Sequence, residues 1–221
     1  MKTYLTFLMV TFFYSLNILA AELPAYPPSA NLQEIQERGL KSLKSLTANS
    51  EETAQRLGFE SSAEAQEAKL GVSVRTWFLG CYGIRDYKTR SDWKSIVLSR
   101  SGIIQSITSK DDEPRARLEY GFRESEWRHT TIGSDKMQFK NIALLIKKSG
   151  KDFNFDTMGI VQVPALGGTQ FFGYYDETQK EWMLSGLYGW PELDFEFGKT
   201  LTASQWMKIL SKHAGKFCPK E

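Results

Sequence analysis

Cysteine and histidine are scarce in this chain of 221 residues: two of each, Cys81, Cys218, His129 and His213. Structural zinc sites bring their ligands in close pairs such as C-x-x-C, and here only His213 and Cys218 stand near one another. No metal is expected, and no cofactor. A G-x-S-x-G elbow is absent, and Gly133-Ser134-Asp135 reads as the start of a helix. Leu166-Gly167-Gly168-Thr169 lacks the lysine and the spacing of a phosphate-cradling loop. Asp194 and Glu196 are carboxylates at strand spacing, the pattern of the wet side of a sheet rather than of a glycosidase pair.

Excess charge is missing too. Removing residues 1–21 takes Lys2 alone, leaving 27 of the 28 Lys and Arg against 26 Asp and Glu, a net charge of +1. A balance that close argues against a dedicated binder of nucleic acid or of an anionic membrane. The basic tracts Lys147-Lys148 and Arg115 to Arg117 are short and read as solvated edges.

What is present begins with MKTYLTFLMVTFFYSLNILAA, one basic residue followed by an uncharged apolar stretch that ends in Ala20-Ala21 before Glu22. This is the layout of a secretory signal peptide cut after Ala20 or Ala21. The alternative is an uncleaved anchor, since the stretch approaches the length of a membrane span. The chain is therefore expected to be exported, periplasmic or secreted, or else N-terminally membrane-anchored. Residues 22–30 form a Pro-rich linker, and residues 31–221 are read as one domain.

Within that domain, 31–70 reads as helical and 71–221 as a sheet with two further helices. Leu32, Ile35, Leu40, Leu43 and Leu46 recur at helical spacing over 31–47, with Gly39 weakening the middle. Asn49 with Glu52, and Ser61 with Glu64, mark two short helices that Gly58 and Gly71 stop. VSVRTWFLG alternates as a strand from Gly71. WKSIVLSRSGIIQSITSKD reads as two β runs joined by a hairpin at Ser101-Gly102, and RARLEYGF with EWRHTTIG as a further pair. Phe139, Ile142, Ala143 and Ile146 form a helical stripe that Gly150 ends. FNFDTMGIVQVPAL, GTQFFGYYD and KEWMLSGLYG make a three-stranded antiparallel meander, with Pro164 at a strand end or edge. Thr202 and Gln205 cap a last helix on which Trp206, Ile209, Leu210 and His213 share a face, and Gly215 stops it. Two strand-then-helix sections look loosely like a duplication, although they do not align residue by residue. The fold class is α+β, mainly antiparallel.

Cys81 is the chemical question. A nucleophile there would need a histidine in reach and a lowered pKa, whereas Trp77, Leu79 and Tyr82 around it would raise that pKa. An exported chain meets oxidising conditions, and a disulfide between Cys81 and Cys218 makes both thiols inert. His213 reads as a satisfied core or edge histidine and His129 as solvent-facing. The aromatic residues Phe171, Phe172, Tyr174, Tyr175, Trp182, Tyr188 and Trp190 fall within 20 residues and imply burial on both faces of a sheet. Any of them left exposed, with Tyr174, Tyr188 and Trp190 the candidates, would form an amphipathic binding surface.

VQVPALGGTQFFGYYD, followed by FGKTLTASQW, resembles the carboxyl-terminal part of a scattered group of exported bacterial proteins of unknown function. LGFESSAEAQEAKLG is similar to that group's helical segment before the first strand, and Gly167 departs from the Asn that follows V-P-A-L in it. The resemblance covers about a third of the chain and implies export and α+β character, with no catalytic residue. The reading is an exported, non-catalytic domain that binds a peptide, lipid or envelope partner, with no nucleic acid expected. The alternative is a thiol hydrolase or transferase using Cys81 with His129 or His213.

Overall fold

The computed structural model describes residues 29–85, 87, 98–123, 126–134, 136–153, 157–166, 169–189 and 196–218. The expected signal peptide, most of the expected linker and residues 93–97 of the expected β runs lie outside the described residues. No helix among the described residues is long and apolar enough to cross a membrane.

The chain opens with α1 (Ser29–Thr47), α2 (Glu51–Arg56) and α3 (Ser62–Glu67). Helix α1 starts two residues inside the expected linker. Its Gly39 does more than weaken it: a Cβ there would come within 2.8 Å of Tyr120 Oη and 2.9 Å of Leu118 Cδ1. The missing side chain lets the helix sit directly on the sheet. Helix α2 is capped by Ser50, one residue after the expected Asn49, with the Ser50 hydroxyl accepting from the Thr53 amide at 3.1 Å. Ser61 caps α3 as the sequence predicts, accepting from the Glu64 amide at 3.1 Å. Gly58 follows α2 with a φ of 98°, a conformation that favours glycine.

The sheet comprises β1 (Lys69–Phe78), β2 (Leu98–Thr108), β3 (Pro114–Arg123), β4 (Glu126–Ser134), β5 (Met158–Val163), β6 (Thr169–Asp176), β7 (Glu181–Gly186) and β8 (Thr200–Thr202). Its order is β4-β3-β2-β1-β5-β6-β7-β8. Three more α-helices are described, α4 (Cys81–Arg85) after β1, α5 (Lys136–Ser149) after β4, and α6 (Ala203–Phe217) after β8, together with a 3-10 turn at Pro164–Leu166. Among the described residues every strand pair is antiparallel except β1 with β5, which run parallel with Trp77 opposite Val161. The α+β class is therefore observed, and the β5–β6–β7 meander is present as expected, with Pro164 just past the end of β5.

Several glycines do not act as the stops or turns expected of them. Gly71 lies inside β1, and Gly215 inside α6. The hairpin at Ser101-Gly102 is absent, because β2 runs straight through Gly102, which pairs with Thr76 on one side and Gly121 on the other. A Cβ on Gly102 would meet Thr76 Oγ1 and the Tyr120 carbonyl oxygen, both at 2.8 Å, so this glycine serves close strand packing instead of a turn. Helix α5 ends as expected at Gly150, with a φ of 66°. Its buried stripe is Phe139, Ile142 and Leu145, while the expected Ala143 is exposed.

The two halves of the sheet are four-stranded meanders, β1–β4 and β5–β8, joined edge to edge through their first strands. A half-turn about an axis along the β1–β5 seam places β1 on β5, mirrors the strand order and exchanges the faces. Helices α5 and α6, each following its own meander, lie on opposite faces as that operation requires. The loose duplication in the sequence is thus a relation of topology.

Burial follows from the period of the strands. On one face, Ile103, Ile107, Leu118 and Tyr120 pack under α1–α3, and Trp77, Val161, Phe171 and Leu184 under α6. On the other, Val74, Ile104, Ile160 and Phe172 meet Phe139, Ile142 and Leu145 of α5. Three layers result, with the sheet buried from both sides along its centre.

Candidate functional site

Cys81 and Cys218 are brought together by α4 and α6. Strand β1 ends at Phe78, Leu79-Gly80 turns the chain, and Cys81 opens α4; Cys218 caps α6, its amide donating to the Ala214 carbonyl at 2.7 Å. The two residues form a disulfide with a Cα–Cα distance of 5.4 Å across a sequence separation of 137. Leu79, Ile84, Leu210 and Ala214 bury the region, and Cys218 is 5 % exposed.

With both sulfurs in that bond, neither Cys81 nor Cys218 is a free thiol. His129 lies on the edge strand β4, three strands from β1, where its ring packs 5.8 Å from that of Tyr120 and its Nε2 donates to the Thr131 carbonyl at 2.9 Å. His213 is half-buried on α6, about one turn before the bridge. Among the described residues, no group of three or more His, Cys, Asp or Glu side chains is placed to hold a metal ion.

The aromatic residues divide between the two faces by alternation. Trp77 and Trp182 meet edge to face at 5.3 Å, Tyr175 and Trp182 at 6.1 Å, and Phe171 and Trp206 at 5.0 Å, all on the α6 face. The Trp206 indole N–H donates to the Leu184 carbonyl at 2.8 Å, which satisfies the one polar atom the ring buries. Tyr174 lies on the α5 face, 6.3 Å from Phe172, with Lys151 Nζ 5.6 Å from its ring centre. Burial, and then the nearby Asp176 charge, raise the Tyr174 hydroxyl above its ordinary pKa. Of the three aromatics expected on a binding surface, Tyr174 is thus in the core at 9 % exposure, and Tyr188 is half-buried against the same cluster. Helices on both faces leave neither side of β6 free. Trp190 lies outside the described residues.

A polar seam runs between α1 and strands β1 and β2. Gln36 Nε2 donates to Ser73 Oγ at 2.7 Å and to Gln105 Oε1 at 2.5 Å, and the Ser73 hydroxyl donates to the same Gln105 oxygen. Gln105 Nε2 in turn donates to the Gly71 carbonyl at 2.6 Å. Gln105 is 1 % exposed, and its amide is satisfied on both sides. This closed network ties α1 to β1 and β2 and presents no free polar group, so it reads as a structural stitch.

The surface that the sequence reading passed over is the outer face of α5. Met137 is 60 % exposed and Leu144 55 %, one helical repeat apart, beside exposed Lys140 and Lys147. The signal was available: KMQFKNIALLIKKS contains four lysines and no acidic residue. A whole-chain charge near zero hid it.

No protein-family model matches the chain, and no curated protein and no solved structure matches it either.

Proposed function

We propose that this chain is an exported domain of the cell envelope that acts by binding a partner and not by thiol chemistry. The observation that carries this reading is the Cys81–Cys218 disulfide. Structural disulfides persist in oxidising compartments, and this one takes up both cysteines of the chain. The apolar stretch with its Ala20-Ala21 end supports the same destination. Binding is favoured over turnover because the bridge occupies Cys81 and His129 lies three strands away from β1 on the edge strand β4.

A non-reduced digest of protein recovered from cells tests this. The expected result is one peptide pair containing Cys81 joined to Cys218, in the fraction outside the cytoplasm. Alkylation of Cys81 in the native protein, together with loss of an assayable turnover on its substitution, would overturn the reading.

A further inference from the structure

The outer face of α5 carries two parallel rows. On a helical wheel Met137 and Leu144 fall about 20° apart, as do Lys140 and Lys147, and the two rows are separated by roughly 60°. The inner face is spent on the sheet through Phe139, Ile142 and Leu145. Nothing in the packing of α5 therefore accounts for Met137 and Leu144, both more than half exposed. A third exposed apolar residue, Phe197 at 46 %, stands in the turn whose Gly198 packs beside Leu145 and Lys148. Lys148 Nζ donates to the Gly198 carbonyl at 2.8 Å, which holds that turn against the helix. Met137, Leu144 and Phe197 are half of the six large apolar side chains exposed among the described residues.

Charge selects the occupant. Helix α5 has lysines at 136, 140, 147 and 148 and no carboxylate; on β3, the strand beneath it, the Glu119 carboxylate is paired with Arg117 at 2.8 Å, and Glu196 precedes Phe197 in the chain. The surface is thus apolar and basic at once, although the chain as a whole is close to neutral. An acidic protein would also complement it. Protein interfaces, however, favour arginine and aromatic residues and are poor in lysine, while α5 has lysine and no arginine. Flexible lysine stems can lie along an apolar boundary and keep their ammonium groups among lipid phosphates, with Met and Leu entering the acyl edge.

Resting on the reading of an exported binding domain, we infer that the outer face of α5, through Met137, Leu144, Lys140 and Lys147, docks the protein on an anionic bilayer surface. The face binds as a peripheral contact, with the helix axis lying along the membrane plane and the sheet behind it.

The test is flotation of the protein recovered from exporting cells with phosphatidylcholine vesicles, with and without a minor fraction of phosphatidylglycerol. The expected result is binding to the anionic vesicles that salt weakens, with little to the neutral ones. Lys140→Gln with Lys147→Gln should lower anionic-vesicle affinity by roughly fivefold per lysine. Met137→Ser with Leu144→Ser should lower it about tenfold or more while leaving the charge unchanged. Both variants should unfold at the wild-type temperature, since none of the four side chains is buried. Failure to bind anionic vesicles, or equal binding to both kinds that neither variant alters, overturns the inference. So does capture by poly-glutamate that survives Met137→Ser with Leu144→Ser, which would assign the face to an acidic protein. Any of these with the Cys81–Cys218 peptide intact leaves the exported binding domain standing; a free Cys81 thiol in the same preparation, with a turnover that its substitution abolishes, removes that reading instead.

Discussion

The Trp77 ring fills the space that a side chain on Gly159 would need. A Cβ at Gly159 would collide with Trp77 Cζ3, come within 2.7 Å of its Cη2, and lie 2.8 Å from the Arg75 carbonyl oxygen. This contact sits on the β1–β5 seam, the single parallel pairing that joins the two meanders. Gly159→Ala is therefore expected to destabilise the protein by about 1–3 kcal/mol, because Trp77 cannot move without disturbing Trp182. Urea unfolding measures it; a variant as stable as wild type would show that the ring is not fixed there.

The disulfide closes a loop that spans most of the domain. Its sequence separation of 137 corresponds to a stabilisation of about 5 kcal/mol on the chain-entropy estimate, the largest single increment expected from one bond here. Cys81→Ser with Cys218→Ser should lower the unfolding free energy by about that amount, and reduction of the wild type should reproduce it. A reduced protein with an unchanged unfolding midpoint would remove the bridge from the account of stability.

Local grammar made much of this fold legible. The meander follows from alternation interrupted by turn residues, and the capping box at Thr202 and Gln205 is present with both hydrogen bonds. The expectation of an oxidising compartment was enough to pair Cys81 with Cys218. What escaped was whatever depends on distant partners. The parallel β1–β5 seam is set by α5 crossing the sheet, and no local signal in VSVRTW or MGIVQV encodes it. Glycine misled for the same reason. Gly102 and Gly39 exist to admit Tyr120, Thr76 and Leu118, residues far from them in sequence, and a reading of neighbours takes such glycines for turns or weak points. The candidate surface at Tyr174 failed because the alternation that makes a strand says nothing about how many faces are covered.

Tyr120 offers a hydroxyl in place of a packing defect. It is 2 % exposed, and its Oη has no hydrogen-bond partner among the described residues. Removing an unsatisfied buried polar atom relieves its desolvation penalty, so Tyr120→Phe is expected to be neutral or to stabilise by about 1 kcal/mol. Burial also raises the folded-state pKa well above the ordinary value of 10.0. The neutral form is then held in the folded state while the unfolded chain ionises, so stability is full below the unfolded value and falls as pH rises beyond it. The Phe variant should lose less stability than wild type between neutral and strongly alkaline pH. Parallel alkaline unfolding curves would show that Tyr120 is free to ionise.

At the β6–β7 turn the pH dependence has the opposite sign. Asp176 Oδ1 accepts from the Gln179 amide at 3.1 Å and from the Thr178 amide at 2.9 Å, with Lys151 Nζ 3.8 Å from its other oxygen. The Gln179 amide foremost, and the Thr178 amide and Lys151 after it, hold the carboxyl below its ordinary value of 3.8. A depressed folded pKa gives stability that is complete above the unfolded value and is lost as pH falls through the folded one. Asp176→Asn keeps an acceptor for the turn and removes the charge, so it isolates this contribution. The variant should melt below wild type at neutral pH, and the gap should close as the solution is acidified below the ordinary carboxylate range. Thermal unfolding at a series of pH values measures it, and a gap that persists unchanged in acid would assign the role of Asp176 to turn geometry alone.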